Sequence, residues 1–541
     1  VLALASPEGH FEHRIRQGDT LERLATEYYG DYKLWPELQQ YNQVVDPRRL
    51  RPGAVLRIPV RLLSLQTAEV SFVEGQASVA TKPGAEHTEL KPGQKLTEGA
   101  EIKVAPDSFV TVKLADGSLI RIQANSDVRL KQLRRTGRAG SLQSVLEMHK
   151  GAVNATVGTE PDPSRKFEVR TPRATTSVRG TTFDVSLTEG GDALSTVTHG
   201  KVSVQGGSDR KNVARLTEGQ GIAVSGEGQL GQTRNLLSPP DLSRIPETME
   251  DSNFLSFQIE PVQQASAYQV QVARDESMNE VLRSGTFPSG QVRLKIVDDG
   301  SYYVVARAMD AQQLPGMPAK RKLRVKTQPP PPLYQQPAPG GTTSRTSGML
   351  KCTPVSGVQK YRIQVADSAA GFDAPLLLDL NDSEDCSAQL ASLPVGSYQW
   401  RAASIRQLSN GSPDQGPFSQ PQAFKLANDP SAPDLSAMDS AEDLPGLHLR
   451  WPGEAGQIYR LQVSATEDFA TLLADETLDT PVWNASGIRP GNYYVRIRTH
   501  DNSTGLDSPF STARQVRAAA EIQSGFGLPL TSSDGEPLTR K

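Results

Sequence analysis

Residues able to do chemistry are few in this chain of 541 residues, and they are scattered. There are two cysteines, Cys352 and Cys386, and seven histidines, at positions 10, 13, 87, 149, 199, 448 and 500. Two thiols 34 residues apart cannot make a zinc knuckle without a second pair, and one disulfide is the chemistry they suggest in an oxidising compartment. No histidine falls in an HExxH pattern, so neither a metal site nor a cofactor is expected. There is no G-x-S-x-G turn to carry a nucleophile and no Walker sequence. The stretch 226–231 spells GxGxxG, but QTRNLLSPP follows it, with no helix to receive a pyrophosphate, and it reads as a loop. The adjacent carboxylates Glu467-Asp468 and Asp475-Glu476 lie in an acidic region and read as a solvated face, because a catalytic pair needs a cleft to shift a pKa. The expectation is a protein with no catalytic residues.

Length alone implies about three to five domains. Charged residues are 22% of the chain, mean hydropathy is −0.45, and no run of ~18 apolar residues occurs, so no membrane span is expected. The formal charge of −3 is unevenly distributed. Residues 125–180 hold 11 Lys/Arg against 5 Asp/Glu, whereas residues 428–541 hold 9 against 16. A basic stretch can meet phosphate or anionic glycan. The plainer reading is arginines dispersed over a solvated sheet face, with no nucleic-acid partner. At the start of the chain, VLALA (1–5) reads as the remnant of a secretory signal, Ala3-Leu4-Ala5 having the small-x-small form of a cleavage site before Ser6. Residues 1–10 are taken as that remnant and the mature N-terminus.

The first ordered unit is predicted at residues 11–60. FEHRI (11–15) alternates as a strand, and Gly18-Asp19-Thr20 turns the chain. Asp19 with Glu22 reads as a capping box, opening a helix whose stripe of Leu21, Leu24, Ala25 and Tyr28 ends at Gly30. Leu34, Trp35, Leu38 and Tyr41 make a second amphipathic helix with Pro36 in its first turn, and VLRIP (55–59) returns as a strand. This β-α-α-β order, with I-x-x-G-D-T-L, A-x-x-Y-Y-G-D, L-W-P-E-L, Y-N and P-G-x-V-L-x-I-P, resembles a LysM module. The resemblance implies binding of peptidoglycan or a related N-acetylglucosamine-containing glycan in a shallow groove between two loops. Carried over by position, the groove residues are Gly18, Asp19, Thr20, Leu21, Asn42, Val45, Asp46, Pro47 and Leu50. Backbone groups would hold the acetamido group and small apolar surface its methyl. Asp19 and Thr20 read equally as helix caps alone or as caps that also touch ligand; Tyr28, Tyr29 and Trp35 read as core.

Residues 69–225 are dense in short strands punctuated by turn signals: KPG, TEG, ADG, ANSD, His199-Gly200 and EGQG. Val110 to Leu114 and Leu119 to Ile122 flank ADGS as a hairpin. Within this region TPRATTSVRGTTFDV (171–185) reads as extended backbone broken at Arg179-Gly180, where Gly180 supplies a bulge or a close approach. Its residues Thr171, Pro172, Ala174, Val178, Arg179, Gly180, Thr181 and Phe183 match T-P-x-A-x-x-x-V-R-G-T-x-F, and the region resembles a FecR domain. That family implies a sensing or binding domain of the bacterial cell envelope, built as a roll, sandwich or solenoid. Its membrane-bound members add a transmembrane helix and a cytoplasmic anti-sigma segment. Neither is found in the sequence, so direct sigma-factor control is not expected.

After Pro239-Pro240 an internal repeat begins. Tyr268, Tyr361 and Tyr459 each open a Y-x-h-x-h strand, and Gly300, Gly396 and Gly491 each open G-x-Y-x-h. A spacing of nearly a hundred residues is one β-sandwich per repeat. The pattern resembles divergent fibronectin type III modules, predicted at 241–327, 341–427 and 435–518. In such sandwiches the strands carrying Cys352 and Cys386 are neighbours, which allows the disulfide. The proline-rich stretches 328–332, 335–341 and 428–434 read as extended spacers, and 519–541 as a disordered tail.

The fold expected is therefore mainly β and multidomain: a small βααβ module, a β-rich domain and three sandwiches. The function expected is that of a non-enzymatic, periplasmic or exported envelope protein. It would bind glycan and present its β domains as a scaffold to an envelope partner. Two other readings are a signal-transduction component, whose FecR domain contacts a separate membrane sensor, and an accessory domain set for a wall hydrolase.

Overall fold

In the computed structural model the described residues are 9–137, 142–158, 166–207, 211–441, 446–522 and most of 524–540. The expected signal remnant, residues 1–5 with its Ala3-Leu4-Ala5 site, lies outside them. The chain divides into two compact units, Val1–Lys326 and Thr327–Lys541. No helix among the described residues is long and apolar enough to cross a membrane.

In the first unit, strand β1 (His10–Arg14) pairs antiparallel with β2 (Val55–Pro59), and helices α1 (Leu21–Tyr29) and α2 (Trp35–Asn42) lie between them in sequence. Leu21, Leu24, Ala25 and Leu38 from the helices meet Leu56 and Ile58 from β2 in one apolar core. The period-two burial of β2 and the helical spacing of the other four are what bring these six together. The expected capping box does not form, and the helix cap falls one residue later. Thr20, in extended conformation, is the N-cap, and its Oγ1 accepts the Arg23 N–H at 3.1 Å. Asp19 instead turns back to accept the Arg16 N–H at 2.7 Å. Gly30, at φ +76°, closes α1 as expected.

Strands from Ser64–Leu65 to Arg234–Asn235 pair into one sheet that closes on itself as a barrel, β-rich as expected. Its interior is filled by Val, Leu, Ile and Phe side chains. Pairing is antiparallel apart from Leu142–Lys150 beside Lys166–Arg170, which run parallel. The hairpin at ADGS forms, with Ile122 opposite Val110 and Gly117 at φ +80°. His199-Gly200 is not a turn but lies inside the strand Ala193–Gly206.

Each repeat is a sandwich of two sheets. The first, in the same unit as the closed sheet, pairs Ala267–Ala273 with Gly300–Met309 and sets Phe254–Gln258 against Gln291–Lys295. In the second unit, Lys360–Asp367 pairs Gly396–Gln407 and Gln457–Ser464 pairs Gly491–Asp501 in the same way. The repeated tyrosines make repeated bonds. The hydroxyls of Tyr302, Tyr398 and Tyr493 donate to the carbonyls of Asp298, Pro394 and Arg489, each four residues upstream, at 2.7, 2.6 and 2.8 Å. Those of Tyr268, Tyr361 and Tyr459 accept the N–H groups of Val262, Val355 and Glu454 at 2.7, 2.7 and 3.0 Å.

Two expectations are corrected in the second unit. The proline-rich stretch 328–341 is no free spacer, for Pro329, Pro332 and Pro337 are buried. Tyr334–Gln336 forms a strand against Met349–Cys352. The Tyr334 ring lies 4.3 Å from that of Trp400, and its hydroxyl donates to the Gln420 carbonyl at 2.6 Å. Proline has no N–H that must find an acceptor, so its ring can be packed against a sheet edge at little cost. The second sandwich therefore begins before residue 341. In the tail, Ala520–Glu521 pairs with Thr539–Arg540, and Leu530 and Leu538 exchange backbone bonds with Ile522 and each other, so its described part is not disordered.

Candidate functional site

Antiparallel pairing of Arg14 with Val55 puts the end of β1 beside the start of β2. The loop leaving β1 and the loop entering β2 therefore share one end of the small sheet. Ile15 joins them, its N–H donating to Ala54 O and its carbonyl accepting from Gly53 N–H, both at 2.8 Å.

Most of the polar side chains predicted for this groove are occupied within the fold. Asp19 Oδ2 lies 2.9 Å from His13 Nε2, and His13 Nδ1 lies 2.9 Å from the Tyr28 hydroxyl. Burial raises the Asp19 carboxyl, but the bonds from His13 and the Arg16 N–H outweigh it and hold the group below the usual carboxylate range. Asn42 is a clamp on β2: its Oδ1 accepts the Arg57 N–H at 2.6 Å, and its Nδ2 donates to Arg57 O at 2.7 Å and to Leu38 O at 2.9 Å. Asp46 caps its own loop through the Arg48 N–H at 2.9 Å. Thr20 is the helix cap. Leu21 is 2% exposed and belongs to the core, not to a surface that a ligand could touch. What remains open is Gly18 at φ +88°, with empty space where a side chain would stand; Val45, which is 96% exposed; and half-buried Pro47, while half-buried Leu50 packs against the core. Tyr29 is buried and Tyr28 and Trp35 pack against the core, as expected.

The FecR signature residues run from the corner just before the strand Ala174–Leu187 to Phe183 within it. Thr171 closes a tight corner, its Oγ1 accepting the Ala174 N–H at 2.9 Å, which leaves Pro172 and Arg173 exposed. Ala174, Val178 and Phe183 are buried, and Phe183 meets Phe167 edge-on at 6.0 Å. At Gly180, φ +60°, the register with Ala193–Gly206 shifts between Arg179 and Phe183. A side chain on the facing Gly200 would meet Thr181 Cγ2 at 2.6 Å and Gly180 O at 2.8 Å, so the crossing needs bare backbone. Thr181 is buried, and the side chain of Arg179 lies outside the described residues. The signature thus builds a corner and a bulge.

Cys352 and Cys386 form the expected disulfide, with Cα atoms 5.3 Å apart. The strands Met349–Cys352 and Ser387–Gln389 are neighbours, and Cys352 N–H donates to Cys386 O at 3.0 Å. Asp475 is held by Arg460 through two bonds of 2.7 Å, which keeps its carboxyl low and fits the solvated structural role expected of it.

Sequence reasoning missed the contact of the closed sheet with the first sandwich. Arg121, 7% exposed, donates to Asn154 Oδ1 at 2.5 Å, Thr156 Oγ1 at 3.1 Å, Asn279 Oδ1 at 3.1 Å and Ser277 O at 2.9 Å. Burial lowers its pKa, partly offset by Asp184 and Asp275. Arg307 of the sandwich reaches Asp184 of the signature strand at 2.6 Å, and Arg283 reaches Glu74 at 3.1 Å. Phe109 packs with Ala273, Met278, Val281 and Val305 beside them. The partners are far apart in sequence, so no local pattern could have revealed them.

Residues 13–59 match the LysM domain family model, and residues 100–203 match the FecR protein model. An uncharacterized protein of Deinococcus radiodurans is 35% identical over 51 residues, 9% of this chain and 20% of its own length. Among solved structures, one from Parabacteroides distasonis described as an anti-sigma factor is 27% identical, covering 25% of this chain and 59% of that one, with a TM-score of 0.21. The chicken CNTN1 FN1-FN3 domains, 16% identical, cover 52% of this chain and 98% of that one at a TM-score of 0.25. The fibronectin(III)-like modules of Clostridium thermocellum CbhA, 12% identical, cover 34% and 92% at 0.22. The chain spans a fifth of the curated relative it matches and about three fifths of the first of these structures. It carries a LysM domain at residues 13–59 and a FecR domain at residues 100–203, with β-sandwich repeats following them.

Proposed function

We propose that this protein is a non-enzymatic cell-envelope protein that binds peptidoglycan, or a related N-acetylglucosamine-containing glycan, through its LysM domain. The FecR domain and the sandwiches then serve as a scaffold or partner-binding surface in the periplasm or outside the cell. The observation that carries this reading is the division of labour in the two loops. Asp19, Asn42 and Asp46 are engaged inside the fold, while bare backbone at Gly18 and apolar Val45 and Pro47 are left for a ligand, beside Leu50 packed on the core. Such a surface suits a neutral acetamido sugar better than an ion. Titration calorimetry of the full chain with chitin oligomers tests it: heat that saturates supports the reading, and none in the millimolar range opposes it.

A second reading, in which the FecR domain contacts a separate membrane sensor, is favoured by the family match at 100–203. A membrane protein recovered by cross-linking through that domain would support it.

A further inference from the structure

The basic stretch 125–180 gains a meaning from where its cations go. Among its described side chains, Arg129 and Lys131 are paired with Glu147, Arg134 with Glu98, and Arg170 with Glu168. Arg135, Lys150 and Arg173 have no carboxylate partner among the described residues. Arg135 lies beside Ser64, at the far end of its strand from the other two. Lys150 and Arg173 line one cleft together with His149. All three are exposed.

The cleft, about 830 Å³, lies where both ends of the FecR signature strand come together. Pro172 and Arg173 are the corner that Thr171 builds before that strand, and Leu187 is its last residue. The strand's register with its neighbour shifts around Gly180, and residues from both its ends line the one opening. Among the described residues Glu189 is the one carboxylate in the lining, and Lys150 and Arg173 outnumber it. The wall at Gly190-Gly191 has no side chains to shield its backbone. Among the described residues no Phe, Tyr or Trp lines the opening, and His149 is its one aromatic side chain.

We propose that this cleft binds an acidic peptide segment of a partner protein. Lys150 and Arg173 would meet its carboxylates, the backbone carbonyls at Gly190 and Gly191 would accept main-chain hydrogen bonds (the Gly191 N–H is held by Thr188 O), and Pro172 and Leu187 would receive an apolar side chain. Two unpaired cations in a concavity attract an anion more strongly than the same charges on a flat, ion-paired face. The proposal rests on the reading that the FecR domain meets a protein partner. Its test leaves the LysM groove aside, so failure here leaves the glycan reading standing, and failure of glycan binding leaves this site standing.

The test is binding of fluorescent poly-L-glutamate to the full chain, at low and high salt, against polygalacturonate of similar length. The expected result is binding of polyglutamate that weakens as salt rises. The double variant Lys150→Ser/Arg173→Ser, both exposed positions, should lose about five- to tenfold in affinity. The double variant Lys95→Ser/Lys113→Ser, which removes the same charge elsewhere on the closed sheet, should bind as the unmodified protein does. Absence of polyglutamate binding, or an equal loss in both double variants, would overturn the site. Equal or tighter binding of polygalacturonate would overturn the assignment to a peptide. Circular dichroism on both variants checks that their folds match the parent.

Discussion

His13 Nε2 lies 2.9 Å from Asp19 Oδ2, so the loop residue with the most obvious binding chemistry is committed to holding its own loop. The same carboxylate accepts the Arg16 N–H, and the far side of the His13 ring meets Tyr28. A carboxylate held below its ordinary value stabilises the fold at pH values above the unfolded value, about 4. That contribution is lost as pH falls through the lower, folded value. Asp19→Asn should therefore destabilise the LysM domain by about 1–2 kcal/mol at neutral pH. The difference from the parent should shrink below about pH 4. Urea denaturation followed by Trp35 fluorescence at several pH values checks this, and a difference that grows on acidification contradicts it.

Removing the Cys352–Cys386 bridge frees a loop of 34 residues. On the chain-entropy model Cys352→Ser/Cys386→Ser should cost the second sandwich about 3–4 kcal/mol. The melting temperature of that sandwich in the double variant measures it, and a thiol assay on the denatured, unreduced protein should find no free thiol.

The bridge from Arg307 to Asp184 ties the first sandwich to the FecR signature strand. It is mostly buried, and truncating one partner leaves the other short of a counter-charge. Arg307→Ala should cost about 2–4 kcal/mol. A double-mutant cycle with Asp184→Ala should show coupling above about 1 kcal/mol. Denaturant unfolding read by hydrogen exchange in each domain should then show the closed sheet and the sandwich opening separately where the parent opens both together.

Much of this is legible in the sequence, for reasons that differ by residue. Alternation in VLRIP and the stripe from Leu21 to Tyr28 record burial directly, so the βααβ order can be read. The repeated tyrosines can be read because each makes the same local bond, four residues upstream for Tyr302, Tyr398 and Tyr493. The sequence pattern puts the cap one residue before Thr20 because Asp and Thr both cap helices; His13, six residues before Asp19, decides between them. The prolines at 329, 332 and 337 read as a spacer because nothing nearby announces Trp400, against which Tyr334 packs. Leu21 falls in the groove by its position in the family pattern, whereas the helix turns it into the core.

The hydroxyl of Tyr398 donates to Pro394 O from within the core of the second sandwich. Tyr398→Phe should cost about 1 kcal/mol, and Tyr302→Phe and Tyr493→Phe a similar amount in their own sandwiches. Thermal unfolding of each single variant reads this. Equal melting temperatures for parent and all three variants would mean that the bond is offset by solvation of the free carbonyl.

The central claim is that the two LysM loops hold a neutral glycan by short-range contact. Its most direct measurement is co-sedimentation of the full chain with purified peptidoglycan sacculi, at low and high salt, for the parent and for Val45→Glu. Val45 is 96% exposed, so the change should leave the fold intact while placing a charge where the sugar would lie. The account predicts that the parent sediments at both salt concentrations, because hydrogen bonds and apolar contact are little screened. The variant should lose most of that salt-resistant fraction. Sedimentation that disappears on adding salt, or that is the same for Val45→Glu and the parent, would contradict it.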